Sequence, residues 1–158
     1  MDKAAIKKKV LAEIDRRADE IIEYANAIWK YPELGFKEFK TAELTEAKYE
    51  AMGWRYEKDI AITGSKAYLK GDGSRPSVGV VGELDALHIP VHPEAHTASG
   101  NVHACGHHSQ MAAMLGAGYG LDLVKDHLAG EVVMVAVPAE EYIEIDYRNR
   151  LREEGKLE

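Results

Sequence analysis

Among the residues whose types bind metals or move protons, Asp85, Cys105, His107, Glu140 and Glu141 stand in clusters whose spacing could do chemistry. Cys105 and His107 stand two apart around Gly106, and the backbone freedom of glycine lets both side chains turn toward one ion. Six of the seven histidines lie between His88 and His108, with the only cysteine among them. A thiolate beside an imidazole suits zinc and neighbouring transition metals better than magnesium or calcium. Glu140 and Glu141 are adjacent carboxylates that can divide two tasks, one holding a metal and the other taking a proton from water. Asp85 either caps the segment that follows it or orients a ligand from behind.

Each of these signals has a plainer reading. A buried cysteine among solvated loop histidines, or a surface pair of glutamates, would carry no chemistry. His88, His92 and His96 are spaced by four and would share one face of a helix, but Pro90 and Pro93 argue for a loop instead. Cys105 near a helix N-terminus and beside histidines also suits a thiolate nucleophile. That alternative leaves Glu140 and Glu141 without a task.

The elements that must position these residues follow from hydrophobic spacing. Ile6, Val10, Ile14, Ile21, Ala25 and Ile28 recur every three or four residues, which predicts one long amphipathic helix ended by Tyr31-Pro32. A second helix is predicted over 37–52, with Gly53 as its stop. Two short strands follow at 54–60 and 66–70, turning at Thr63-Gly64-Ser65, and residues 71–76 read as a surface turn. Residues 78–82 and 132–137 are apolar, β-branched and not alternating, as in parallel strands covered on both faces. Between them, 111–124 is rich in Ala, Met, Leu and Gly and suits a closely packed helix, completing a βαβ unit. The expected architecture is α/β: a doubly wound, mostly parallel sheet with helices on both faces, whose ligand site lies beyond the carboxyl ends of the strands. Asp85, the Cys105–His107 loop and the glutamate pair all fall at that edge.

Composition limits the partners. The 158 residues carry 20 Lys and Arg against 27 Asp and Glu, a formal charge of -7. This argues against nucleic acid as a partner, since phosphate binding needs a concentrated basic face. No apolar run reaches the roughly 18 residues of a membrane span, and the charged start is unlike a secretory signal. With a single cysteine there is no internal disulfide. A cytoplasmic location is expected.

The segments YPELGFKEFKTAELTEAKYEAMGW, GELDAL, HACGHHSQMAAMLGA and VPAEE occur in the order and spacing found in the aminoacylase/carboxypeptidase-like metallopeptidases. From about Ala18 onward the chain resembles their amidohydrolase branch, which includes hippurate hydrolases and enzymes that cleave indoleacetyl–amino acid conjugates. The resemblance implies a doubly wound catalytic domain with a smaller inserted domain that often dimerises. It also implies two divalent metal ions (Zn, Mn, Co or Ni) and hydrolysis of the amide bond of N-acyl amino acids or similar small conjugates. Carried across, it makes Cys105 a bridging metal ligand, His107 and Glu141 further ligands, Glu140 the general base and Asp85 an orienting catalytic residue.

Three departures qualify that expectation. His108 stands where relatives often have an aspartate. Glu83 and Asp85 form an acid-x-acid pattern where more distant relatives place a histidine ligand. Relatives also run two to three times this length and take histidine ligands from beyond the glutamate pair, whereas no histidine follows His127. Segment 142–158 is charged and helix-like. The expectation is that residues 1–158 form the N-terminal portion of such a catalytic domain, without the inserted domain and distal ligands, and inactive alone. An unpaired sheet edge would then favour self-association. A non-catalytic binding or structural module retaining the motifs is the competing reading.

Overall fold

The computed structural model describes residues 2–69 and 76–157, so the turn expected over 71–76 lies, apart from Pro76, outside the described residues. The apolar spacing of the first thirty residues yields two helices, α1 (Lys3–Arg16) and α2 (Ala18–Trp29), where the sequence predicts one. The break falls at Arg17, whose N–H is shared between the carbonyls of Glu13 and Ile14. Its guanidinium spans the break, donating to Glu13 at 2.8 Å and Glu20 at 3.0 Å. The bend has a packing cause. Val10 and Ile14 approach Gly120, and Ile21 approaches Gly116, so both segments lie along the helix α4 (His107–Asp122).

Helix α3 (Phe39–Ala51) ends before Gly53, whose φ of +66° supplies the left-handed stop expected of it. Its first turn is capped from the preceding loop, where the Glu33 carboxylate accepts from the N–H groups of Lys40 and Thr41. Strands β1 (Arg55–Ile60) and β2 (Gly64–Leu69) form an antiparallel hairpin with an irregularity between Glu57 and Ile60. The turn falls at 61–63, two residues earlier than expected.

The predicted βαβ unit is present. Strand β3 (Val78–Glu83) crosses through α4 to β6 (Val132–Val137), and the two strands pair in parallel with Val80 opposite Met134. The sheet order is β1-β2-β6-β3, and the short strands β4 (Leu87–His88) and β5 (Asn101–Val102) form a separate ladder. The α/β class thus holds, with a mixed sheet: β3–β6 is parallel and the other pairings are antiparallel. Helices α2, α3 and α4 gather on one face, with α1 packed along α4. Ala67, Leu69, Met134 and Ala136 are buried there with Tyr49, Met111, Leu115 and Tyr119. On the opposite face Val133 and Val135 are half-buried and Val81 is 52% exposed. The β-branched run that suggests cover on both faces is therefore covered on one among the described residues. Helix α5 (Ile145–Glu153) follows β6 and is tied to the loop before α3 by Lys37, which donates to both oxygens of Glu144.

The α4 glycines set how closely that helix is approached. A Cβ at Gly118 would lie 2.6 Å from a ring carbon of Trp54. The indole is buried and its N–H donates to Asp122 at 3.0 Å, so it has little room to move. Helix propensity alone would make Gly118→Ala stabilising by roughly 1 kcal/mol. We expect a net loss of about 1–3 kcal/mol from overpacking, measured by urea unfolding; unchanged or raised stability would show that the indole yields.

Candidate metal centre

Three chain segments meet at the carboxyl end of the parallel pair. Strand β3 runs into Glu83, Leu84 and Asp85, helix α4 begins at His107, and β6 leads through Pro138 and Ala139 to Glu140 and Glu141. Gly106 has φ +98°, a left-handed turn that lets residues on either side of it face one point. The ligand atoms of Cys105, His107 and Glu141 lie within 4.8 Å of one another, as do those of Glu83, His107 and Glu140. His107 is common to both groups.

The imidazole of His107 is 3% exposed, and its Nδ1 lies 3.0 Å from the Asp85 carbonyl oxygen. Donation there fixes the tautomer and leaves Nε2 free to act as a ligand. Nε2 faces Glu83 at 2.9 Å, Glu141 at 3.7 Å and Glu140 at 3.9 Å. Asp85 is fully buried behind this group. Its Oδ2 accepts from the Glu141 N–H at 2.9 Å. Its Oδ1 lies 3.2 Å from His107 Nδ1 and has no hydrogen-bond partner.

Among the described ion pairs, no Lys or Arg reaches Glu83, Asp85, Glu140 or Glu141. Carboxylates drawn together without a cation repel one another, so the arrangement suits a bound divalent ion. The donor set of sulfur, imidazole nitrogen and carboxylate oxygen fits zinc and its neighbours. The Cys105 thiol is exposed, yet its pKa is pushed up to about 11 by its hydrogen bond to Glu141, by desolvation, and by the charges of Glu141, Glu140 and Glu83. At neutral pH the bare thiol stays protonated, the opposite of an activated nucleophile. A cation at the site would reverse that balance.

The structure places Asp85, Cys105, His107, Glu140 and Glu141 close together at this edge. It adds Glu83, which the sequence reading did not count as a ligand. Its signal was present: Glu83 and Asp85 flank Leu84 where the buried strand ends. Gln110 fixes Glu83 by accepting from its N–H at 2.6 Å and donating to its carboxylate at 3.0 Å. The other histidines stay outside both ligand groups. His108 packs edge-on against Trp29 at 4.8 Å and bonds Ser109. His103 is buried, and desolvation lowers its pKa to about 4. His88, His92 and His96 make local hydrogen bonds to Asn101, to the Glu94 N–H and to Ser99, in keeping with the loop expected there.

The thiol's position gives a pH test. Iodoacetamide alkylation of Cys105 is expected to be slow at pH 7 and to rise roughly tenfold per pH unit up to about 11. Rapid alkylation at pH 7, levelling off below pH 9, would contradict it and revive the nucleophile reading.

Known proteins resemble this chain over most of its length. An IAA-amino acid hydrolase ILR1-like 2 of Arabidopsis thaliana is 36% identical over 142 residues, covering 88% of this chain and 32% of the plant protein. Thermostable carboxypeptidase 1 of Saccharolobus solfataricus is 31% identical, covering 85% of this chain and 35% of that protein. In structure, the Bacillus subtilis YXEP protein, a dinuclear metal binding peptidase of the M20 family, superposes with a TM-score of 0.70 at 28% identity, over 78% of this chain and 36% of that one. No protein-family model matches. The chain spans about a third of the length of the curated relatives it matches. Over that span it is a homologue of the M20-type amidohydrolases and peptidases, the metal-dependent hydrolase family that its four motifs resemble.

Proposed function

We propose that this chain carries one part of the active site of a metal-dependent amidohydrolase that cleaves the amide bond of N-acyl amino acids or similar small conjugates. The observation that carries this reading is the meeting of Cys105, His107, Glu83, Glu140 and Glu141 around one imidazole nitrogen, with no Lys or Arg paired to the carboxylates. Likeness to hydrolases of amino acid conjugates and to a dinuclear peptidase supports it.

In this reading Cys105, His107 and Glu141 hold the metal. A bound divalent ion would lower the pKa of water and polarise the scissile carbonyl. Glu140 is the more exposed of the glutamate pair and stands at the rim, where it takes the proton of the attacking water and passes it to the leaving amine. Asp85 holds His107 and the Glu141 backbone and so keeps both ligands in place. Glu83, whose carboxylate faces His107 Nε2 at 2.9 Å, would complete the ligand set.

Three firm ligands are too few for two metal ions, so the remaining donors would come from residues outside these 158. The donor set suits zinc and its neighbours, and the family resemblance narrows the proposed metals to Zn, Mn, Co or Ni. No helix of the described residues is long and apolar enough to cross a membrane. A reducing cytoplasm would keep Cys105 available as a ligand. The open sheet face around Val81 and Val135 supports either self-association or cover by further chain.

The test is elemental analysis of the reduced, desalted chain after incubation with Zn²⁺, Mn²⁺ or Co²⁺, with Cys105→Ala beside it. We expect about one weakly held ion per chain, lost in the variant, and little hydrolysis of N-acyl amino acids. Two tightly held ions with brisk turnover would contradict the part-site reading. A folded chain that holds no metal in any condition would favour a non-catalytic module.

A further inference from the structure

Among the described residues, Glu38 is the one acidic side chain buried as deeply as Asp85, and the chemistry above does not use it. It is fully buried at the start of α3. Its Oε2 accepts from the Thr63 hydroxyl in the β1–β2 turn, and its Oε1 accepts from the N–H of Ala139 at 2.8 Å. A carboxylate is thus spent on joining segments 25 and 101 residues away.

The backbone it grips is unusual. Ala139 has φ +55° without being glycine, a conformation that persists only where the surroundings hold it. Its side chain lies where a Cβ on Gly35 would be, at 2.6 Å, so the loop before α3 has to present a glycine there. Two residues further on, the Glu141 N–H is held by Asp85. The amides on either side of Glu140 are therefore each bonded to a buried carboxylate, Glu38 from one element and Asp85 from another. Beyond Val137 the chain has left the β3–β6 ladder, and these two acceptors take the place of a strand partner.

We propose that Glu38 is a positioning residue for the metal centre: by accepting from the Ala139 N–H it fixes the path of the chain out of β6, and so sets where the carboxylates of Glu140 and Glu141 arrive. Thr63 holds the other oxygen and prevents the carboxylate from rotating away. This rests on the metal-centre reading above and extends it to a residue more than a hundred positions before Glu140 and Glu141, whose hydrogen bonds go to Thr63 and Ala139.

Glutamine keeps the geometry, because its oxygen can still accept from Ala139 while its amide donates to the Thr63 hydroxyl. Aspartate keeps the charge but shortens the arm by one methylene. Leucine keeps the bulk and removes both acceptors. The experiment measures Co²⁺ affinity of the full chain by its thiolate-to-cobalt absorption, together with hydrogen exchange at the 139 and 141 amides. We expect Glu38→Gln to bind Co²⁺ within about threefold of wild type. Glu38→Asp and Glu38→Leu should bind at least tenfold more weakly, with faster exchange at 139. Should neither of those fold, Thr63→Val carries the test, with a smaller loss of affinity expected.

Wild-type affinity in Glu38→Asp, Glu38→Leu or Thr63→Val overturns the proposal and leaves the metal centre standing. Equal loss in Glu38→Gln and Glu38→Asp overturns it as well, since the hydrogen bond would then not be what matters. Refusal of Co²⁺ by the wild-type chain, with both amides still protected, sinks the metal-centre reading and the positioning role together.

Discussion

The site depends on what Asp85 does with both its backbone and its side chain. Its carbonyl takes the Nδ1 hydrogen of His107 and its Oδ2 takes the N–H of Glu141, so one residue just past β3 orients the proposed ligands on α4 and beyond β6. The three segments are adjacent only because β3 and β6 run parallel with α4 as the crossover. A buried carboxylate costs several kcal/mol in desolvation unless hydrogen bonds or charge offset it. Asp85 still has one oxygen without a hydrogen-bond partner, which places negative potential directly behind the imidazole that would bear a cation.

The rest of the fold serves to keep that edge still. Close contacts at Gly116, Gly118 and Gly120 let α1, α2 and Trp54 approach α4 along its length. The buried hydroxyls of Tyr24 and Thr45 bond each other at 2.7 Å and join α2 to α3 through the core. Helix α4 is thereby held from its flank, while its first residue is held from the strand edge by Asp85. The helix enters the site without a side-chain cap of its own, and Gly106 alone makes the turn. Rigidity on one side and converging charge on the other are what preorganise a set of ligands.

Much of this could be read from the sequence because the strongest signals were local. The β-branched runs 78–82 and 132–137, the small-residue helix between them and the Cys105-Gly106-His107 spacing each carry their meaning within a few residues. What could not be read depended on tertiary contact. The apolar spacing of α1 and α2 is continuous through Ala18, and nothing local announces the break at Arg17, which follows from both segments packing on α4. A continuous apolar strand reads the same whether its second face is covered by this chain or left open, so Val81 and Val135 gave no warning. Glu83 stands out in the sequence only as part of an acid-x-acid pattern, and Glu38 not at all, because acidic residues are common. Only burial and partners separate Glu38, between Thr63 and Ala139, from the exposed glutamates around it.

The central claim is that Cys105 and His107 act together as ligands of one ion. X-ray absorption at the zinc edge of the zinc-loaded chain tests it most directly. The account predicts one sulfur at about 2.3 Å together with nitrogen or oxygen at about 2.0–2.2 Å. A first shell of nitrogen and oxygen alone, with the Cys105 thiol still free to alkylate, would contradict it.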